Sequence, residues 1–267
     1  MLSQKHEPVE SATELQRRTP EYTDDWALFL DVDGTLLEIA DHPEDVEIRP
    51  ELIATLQSVL VRAQTPIGLV SGRTIADLDR LFSPLRLPIA GQHGAERRDA
   101  AGNMHRNTRR SAALDGTRRM LVEYGQRHDG IVVEDKGAAL AIHFRQAPDL
   151  AGEVEGLTRG LMQDLGDDYE LQPGKMVIEI KPRGRNKGHA IAEFIREAPF
   201  AGRRPVFIGD DATDEYGFEM VNRLGGHSVK VGSGASCARW RLRNVADVID
   251  WLRRYALDRP QQADRHE

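Results

Sequence analysis

Short apolar runs that end in polar residues alternate with helical stretches, and this alternation constrains the fold more than any other feature. The run Trp26 to Leu30 (WALFL) leads into DVDGT, PIGLV leads into SGR, and PVFIG leads into DDATDE. Continuous apolar runs of this length are typical of strands buried on both faces of a parallel sheet. With helices between them, they predict an α/β fold with a doubly wound, Rossmann-like parallel sheet.

The middle of the chain has a different pattern. A helical stretch precedes IVVED and AALAIHFR, which predict a hairpin turned at Lys136 and Gly137. A second helical stretch precedes DYELQ and KMVIEIKP, which predict a hairpin turned at Pro173 and Gly174. One helix and one hairpin, twice over, indicate an inserted α+β module with its own antiparallel sheet.

The predicted division of the chain follows from this change of pattern. The α/β core takes residues 21–110 and 181–257, and the inserted module takes residues 111–180. The core and the module join at two crossings, and paired crossings can act as a hinge. The polar ends, residues 1–20 and 258–267, are predicted to be mobile.

Composition excludes several classes of protein. A net charge of -7 over 267 residues argues against nucleic acid as a partner. Cys237 is the single cysteine, which excludes an intramolecular disulfide and a cysteine-rich zinc site and suits a reducing compartment. No apolar stretch approaches the roughly 18 residues of a membrane span, and the first residues lack a signal-peptide core. We therefore expect a cytoplasmic monomer with no membrane partner.

Polar clusters stand at the predicted strand ends and at the start of one helix. If the strands are parallel neighbours, these clusters meet at the carboxyl end of the sheet, where open α/β sheets bind ligands. Crowded carboxylates repel unless a cation neutralises them, and oxygen ligands favour Mg²⁺. A simpler interpretation of DVDGT alone is a turn in which aspartate caps backbone amides. The clusters are Asp31 with Asp33; Ser71 with Gly72 and Arg73; Lys187; and Gly209, Asp210 and Asp211 with Asp214.

With a cation at this end of the sheet, the pattern predicts phosphoryl transfer. Asp31, at the strand end, can bind the ion and attack a phosphorus atom in line. Asp33, two residues on, can protonate a leaving oxygen and then activate a water. Ser71 and Lys187 can donate to the phosphoryl oxygens. Among the acids of the last cluster, Asp210 is predicted to be a further metal ligand. Asp211 and Asp214 are predicted to orient that ligand, its waters or Lys187.

The series DVDGT, SGR, Lys187 and GDDATDE resembles the four motifs of the haloacid-dehalogenase superfamily of phosphohydrolases. The resemblance spans residues 26–252, and the inserted module, here called the cap, stands where that superfamily carries its larger caps. It implies that Asp31 is the nucleophile. It also implies that Asp33 is the general acid/base, with its backbone carbonyl on Mg²⁺, and that Asp210 is the third protein ligand.

The cap carries charged residues on both predicted hairpins. Such alternation is often only a solvated face, but mixed acids and bases that face a crevice also suit a polyhydroxyl ligand. The segments EDK, IHFR and PGKMVIE, with GQHGAE and GDDATDE in the core, resemble the trehalose-6-phosphate phosphatases. The implied substrate-binding residues are Gly72, Arg73, Gln92, His93, Gly94, Glu134, Lys136, Arg145, Lys175 and Glu179.

Several interpretations stay open on the sequence. His93 taken alone is more often a structural loop histidine, and Gly94 can be a turn glycine. Sucrose-6-phosphate and mannosyl-phosphoglycerate phosphatases share the core and a similar cap, so the nearest rival changes only the sugar. A phosphosugar mutase is a weaker alternative, because it must keep water from the phosphoenzyme. A catalytically silent sugar-phosphate-binding module is a further alternative. The presence of all four catalytic-type residues argues against it, because a silent module has no chemical need for Asp31, Asp33, Lys187 and Asp210 together.

Overall fold

The computed structural model describes most of the chain. The described residues are 19–39, 46, 48–106 and 112–257. The predicted mobile segments at the two ends lie outside them, apart from Thr19 and Pro20, which are both buried.

The predicted strands and helices occur in the predicted order, together with three short strands that were not predicted, Glu96–Arg98, Met104–Arg106 and Trp240–Leu242. The strands are β1 (Trp26–Leu30), β2 (Ile67–Val70), β3 (Ile89–Gly91), β4 (Glu96–Arg98), β5 (Met104–Arg106), β6 (Val132–Asp135), β7 (Leu140–His143), β8 (Tyr169–Gly174), β9 (Val177–Pro182), β10 (Arg204–Gly209), β11 (His227–Val231) and β12 (Trp240–Leu242). The α-helices are α1 (Pro50–Val61), α2 (Ile75–Leu81), α3 (Ala112–Arg127), α4 (Ala151–Leu165), α5 (Lys187–Phe194), α6 (Glu215–Arg223) and α7 (Val245–Leu257).

The larger sheet has eight strands in the order β12-β11-β10-β1-β2-β3-β4-β5. The first six of these are parallel neighbours, whereas β4 and β5 pair antiparallel. This confirms the predicted α/β fold class. The two antiparallel strands were not predicted, because ERR and MHR are short and charged. The two arginines of β4 are buried by pairing: Arg98 donates to both oxygens of Asp79 at 2.6 Å, and Arg97 donates to both oxygens of Glu197 at 2.8 Å.

β1 lies at the centre of this sheet, and none of its residues has exposed surface. Alternate residues point to opposite faces of a strand, so β1 contributes to two apolar layers. Leu28 and Leu30 belong to a layer with α1, α2 and α7, and Ala27 and Phe29 belong to a layer with α5 and α6. Burial on both faces explains why WALFL is apolar without interruption.

The smaller sheet is antiparallel, with the order β6-β7-β9-β8. Its apolar face carries Ile142 and Ile180, which share a core with Leu121 of α3 and Leu161 of α4. The second hairpin turns at Lys175 and Met176 and not at Pro173 and Gly174, because these two residues still pair with Ile178 and Val177. Met176 takes the left-handed conformation, with φ of 64°.

None of the helices in the described part of the chain is long and apolar enough to cross a membrane.

Candidate active site

The two aspartates of DVDGT, which follow β1 directly, lie in different environments. Asp31 is buried and faces Lys187, whose Nζ donates to Asp31 Oδ1 at 2.8 Å. Asp33 is partly exposed and accepts two hydrogen bonds from Arg73, from Nε at 2.8 Å and from Nη2 at 2.7 Å. This paired geometry is the strongest that arginine makes with a carboxylate. The two aspartates of the motif, one residue apart, therefore have different electrostatic partners.

Lys187 lies between two of the clustered carboxylates, those of Asp31 and Asp214. It is the first residue of α5, which begins there because the Asn186 side chain accepts from the His189 N–H at 3.0 Å. The Lys187 side chain is 3% exposed, and its ammonium also donates to Asp214 Oδ1 at 2.6 Å. Burial alone would lower the pKa of Lys187, but the carboxylates of Asp214 and Asp31 raise it far above its usual value. The lysine is therefore a fixed positive charge beside the nucleophile candidate.

Asp214 shapes the loop after β10. Its Oδ2 accepts from the backbone N–H groups of Asp210 at 2.9 Å and Asp211 at 3.0 Å. Both of its oxygens are therefore engaged, since Oδ1 accepts from Lys187. A Cβ at Gly209 would lie 2.3 Å from the carboxyl carbon of Asp214, so the strand must end in glycine. This arrangement suits the predicted orienting role better than metal ligation.

Three carboxylates can surround one cation. Oxygens of Asp31, Asp210 and Asp214 lie within 4.8 Å of one another. Burial and neighbouring carboxylates raise the pKa of Asp210 to about 6, and burial together with Asp214 raises the pKa of Asp31 well above its usual value. Such groups gain from a divalent cation that replaces their protons. The residues fit Mg²⁺, and since the oxygens of Asp214 are engaged, Asp31 and Asp210 are the better side-chain ligands.

Strand register explains why these groups meet. Leu30 lies opposite Ile208 of β10 and Leu69 of β2, so the polar residues that follow the three strands emerge at one level. Ser71, 1% exposed, follows β2, and its Oγ accepts from the Arg73 N–H at 3.2 Å. The hydroxyl thus sits at the same end of the sheet as Asp31.

Lys230 belongs to this region although it was not among the predicted site residues. It lies on β11, it is buried, and its ammonium donates to the backbone carbonyl of Asp210. The signal in the sequence is a lysine inside the apolar strand HSVKV. Its charge opposes the burial and the neighbouring carboxylates that raise the pKa of Asp210.

The GQHGAE segment lies beside the SGR loop. Gln92 and His93 are buried, and a Cβ at Gly94 would lie 3.1 Å from the carbonyl oxygen of Asn186. Glu96 supports the core, because its Oε1 accepts from the Ile75 N–H at 2.8 Å at the start of α2. Gln92 and His93 therefore lie beside the site, whereas Glu96 stabilises the start of α2.

Three of the five predicted sugar-binding residues of the cap form a network on the polar face of the smaller sheet. The register places Glu134 beside Ala141, Ala141 beside Glu179, and Glu179 beside Gln172, so these side chains share one face. Lys136 Nζ lies 3.5 Å from Glu179 Oε2 and 3.8 Å from Glu134 Oε2. Gln172, at the end of the predicted strand DYELQ, was not among the predicted site residues.

Charges within this network keep its acids ionised. His143 Nε2 lies 3.1 Å from Glu134 Oε2. Burial alone would raise the pKa of Glu134, but His143 and Lys136 lower it. Burial likewise opposes the effect of His93, Lys136 and Lys181, which together lower the pKa of Glu179 to about 2. Two ionised carboxylates on one face can each accept hydrogen bonds from hydroxyl groups.

Two predicted cap residues lie at the margin of this network. Arg145 is exposed and follows β7 by two residues, and Lys175 is exposed in the turn between β8 and β9. The register puts both at the same end of the sheet, since His143 lies opposite Val177. The structure thus places Glu134, Lys136 and Glu179 together and leaves the roles of the other two as predictions.

Comparisons with known proteins agree with this geometry. The sequence profile of the trehalose-phosphatase family matches residues 29–245. The trehalose-6-phosphate phosphatase of Escherichia coli strain K12 is 46% identical over 240 residues, which are 90% of this chain and 90% of that protein. A probable trehalose-phosphate phosphatase of Sinorhizobium fredii is 47% identical over 209 residues, 78% of each chain.

A solved structure shares the fold. The C-terminal domain of the C. albicans trehalose-6-phosphate phosphatase superposes with a TM-score of 0.78 at 22% identity, over 95% of this chain and 99% of that one. The profile match covers well over half of the chain, and the relative from E. coli is alike over nearly its whole length. The resemblance seen in the sequence is confirmed, and the chain belongs to the trehalose-phosphatase family.

Proposed function

We propose that this protein hydrolyses trehalose 6-phosphate to trehalose and phosphate, with Mg²⁺ and through a phosphoenzyme on Asp31. The observation that carries the proposal is the contact of Lys187 with both Asp31 and Asp214 at the carboxyl end of the sheet. A buried ammonium beside a strand-end carboxylate stabilises charge during phosphoryl transfer. The family membership supports the same activity.

In the proposed reaction, an oxygen of Asp31 bonds to phosphorus as the bond from phosphorus to the sugar oxygen breaks. Asp33 gives a proton to the leaving oxygen, and it then takes a proton from the water that attacks the phosphoenzyme. Lys187 and Ser71 donate to the phosphoryl oxygens. A Mg²⁺ held by Asp31, Asp210 and the backbone carbonyl of Asp33 would neutralise charge on the phosphoryl group.

Arg73 has a part in this sequence of steps. Its guanidinium is bound to Asp33 through two hydrogen bonds, and it is largely buried. A phosphate dianion is an equally good partner for that planar fork. We propose that the incoming ester draws Arg73 toward the phosphate, so that Asp33 becomes available to the leaving oxygen.

Substrate choice is assigned to the cap, residues 111–180. Its polar face presents Glu134 and Glu179, each within 3.8 Å of the ammonium of Lys136. A disaccharide offers many hydroxyls that can donate to the carboxylates and accept from the lysine. The expected cytoplasmic location and monomeric state of the protein stay predictions.

Phosphate release from a panel of sugar phosphates tests the proposal. We expect trehalose 6-phosphate to give the highest kcat/KM, above sucrose 6-phosphate, mannosyl-phosphoglycerate and glucose 6-phosphate. Addition of a chelator should abolish release and excess Mg²⁺ should restore it, because the clustered carboxylates otherwise repel the phosphate. A preference for another sugar would replace trehalose in the proposal, and binding without release would favour the silent module.

The cap assignment gives a selectivity prediction. A hydrogen bond to a charged group contributes roughly 1.5 to 3 kcal/mol, so Glu134→Ala should lower kcat/KM for trehalose 6-phosphate about ten- to a hundredfold. A small aryl phosphate offers the cap no hydroxyls. The ratio of kcat/KM between the two substrates should therefore fall by at least about tenfold.

A matched control for this variant is Glu155→Ala, which removes an exposed glutamate on α4 that pairs only with Arg159 at 2.9 Å among the contacts described. It should leave the ratio within about twofold. Equal losses on both substrates in Glu134→Ala would show that this glutamate supports the fold or the phosphoryl site and not the sugar.

A further inference from the structure

The loop that joins β3 to β4 is conformationally strained. Gln92, His93 and Gly94 have φ values of 49°, 55° and 97°, all in the left-handed region. That region is unfavourable for glutamine and histidine, and strain of this kind persists only where the surroundings hold it. Here the Gln92 N–H donates to the carbonyl of Arg73 and the His93 N–H donates to the carbonyl of Ser71, both at 2.9 Å. The fold thus maintains an unusual backbone beside the SGR loop.

The strained backbone places the imidazole of His93 over Gly72. A Cβ at position 72 would lie 2.7 Å from Nε2 and 2.9 Å from Cε1 of that ring. Any side chain there would displace the ring. The glycine of SGR is therefore explained by the histidine 21 positions later in the sequence.

From this position the ring reaches across to the cap. His93 Nε2 lies 3.2 Å from Glu179 Oε2 and 3.4 Å from Gln172 Nε2. The two cap residues are direct cross-strand neighbours on β8 and β9. Both His93 and Glu179 are more than nine-tenths buried. One core histidine thus contacts two adjacent side chains on the polar face of the cap.

Polar atoms around this contact lack partners. Among the described residues, Gln92 Oε1, His93 Nδ1 and Glu179 Oε1 are shielded from solvent and have no hydrogen-bond partner. Buried polar atoms are normally paired, and their clustering at a candidate site points to a ligand that supplies hydrogen bonds. Oε1 of Glu179 can accept from a hydroxyl while Oε2 stays with His93.

We propose that His93 is a positioning residue that acts from the core on the cap: it fixes the carboxylate of Glu179, so that the sugar site is complete only when the cap lies against the core. This inference rests on the proposed function for the identity of the sugar. Selectivity then depends on a core residue that lies 86 positions from the carboxylate it orients. The sugar therefore makes its full set of hydrogen bonds only after the cap closes on the core, when water is excluded from the phosphoryl site.

A double-mutant cycle with His93→Ala and Glu179→Ala tests the proposal, since each change removes one partner of the contact. Each single variant should lower kcat/KM for trehalose 6-phosphate about ten- to a hundredfold, since each loses a hydrogen bond to a charged group. The double variant should lose no more than about threefold beyond the worse single variant, because both changes remove the same contact. His93→Gln, which keeps a donor, should recover at least about threefold over His93→Ala.

A second cycle needs no substrate. The unfolding midpoints of the parent, the two single variants and the double variant should show the same coupling in ligand-free protein. His105→Ala is the control, because His105 belongs to the α/β core domain but is exposed and pairs with a different carboxylate, Asp99, at 2.9 Å. His105→Ala should show no coupling with the Glu179 variant in the unfolding midpoint, and it should leave kcat/KM for trehalose 6-phosphate within about twofold of the parent.

The outcomes separate the inference from the function on which it rests. Multiplicative losses in kcat/KM, or independent shifts of the unfolding midpoint, would overturn the positioning role. No recovery in His93→Gln would also count against it, since a role in packing alone does not depend on a donor. If the parent releases no phosphate from trehalose 6-phosphate, the proposed function fails, and the ligand-free cycle alone then decides whether His93 holds Glu179.

Discussion

Asp31→Asn is expected to abolish phosphate release while the protein stays folded. Asparagine has nearly the same shape as aspartate, and its side-chain oxygen can still accept from Lys187. An amide does not attack phosphorus, and it removes one negative charge from the cation site. Because Lys187 keeps Asp214 as a partner at 2.6 Å, the buried ammonium is not left alone. The loss should therefore appear in catalysis and not in stability.

Two measurements check this expectation. Phosphate release should fall below detection, and the unfolding midpoint should stay within a few degrees of the parent. Asp250→Asn is a suitable control, because Asp250 pairs with Arg253 on α7 and lies outside the site. A trapped aluminium or beryllium fluoride adduct on any other side chain would show that Asp31 is not the nucleophile.

Asp33→Asn is expected to slow turnover by about 10² to 10⁴, the usual cost of removing a general acid or base. The amide cannot give a proton to the leaving sugar oxygen or take one from water. Substrate should still bind, because Arg73 is then released from its bond with Asp33 and remains available to phosphate.

This variant should lower kcat far more than it raises KM. A leaving group that needs no proton, such as a nitrophenolate, should restore part of the rate of the first step. Asp77→Asn is the matched control, since Asp77 lies on α2 near the same loop but bonds to Thr74 and Arg80. Near-normal turnover of trehalose 6-phosphate by Asp33→Asn would mean that another group moves the proton.

Local patterns in the sequence predicted the fold class and the end of the sheet that carries the site. Apolar runs that stop at DVDGT and GDDATDE indicate buried parallel strands, and parallel strands bring their carboxyl ends together. The contact of Lys187 with Asp31 spans 156 positions, so only the assumption that the strands are neighbours could predict it. The strand order of the structure confirms that assumption.

Other features depend on three-dimensional partners that no local pattern shows. β4 is charged and yet buried, because Arg97 meets Glu193 and Glu197 from a later part of the chain. Arg73 was predicted to bind substrate, and its observed partner, Asp33, is equally invisible in the sequence. Lys230 and Gln172 lie on strands whose neighbours decide which way their side chains point. Such contacts depend on tertiary packing and not on residue propensity.

The pairing of acids and bases around Lys187 also determines the charge of the site. The site contains five carboxylates and three cations. The carboxylates are those of Asp31, Asp33, Asp210, Asp211 and Asp214, and the cations are those of Lys187, Lys230 and Arg73. With every group ionised, an excess of two negative charges remains, which is the charge that one divalent cation cancels. A phosphate dianion approaching without that cation meets repulsion, so the affinities for the metal and for the ester are thermodynamically linked. Each should strengthen the binding of the other by the same factor.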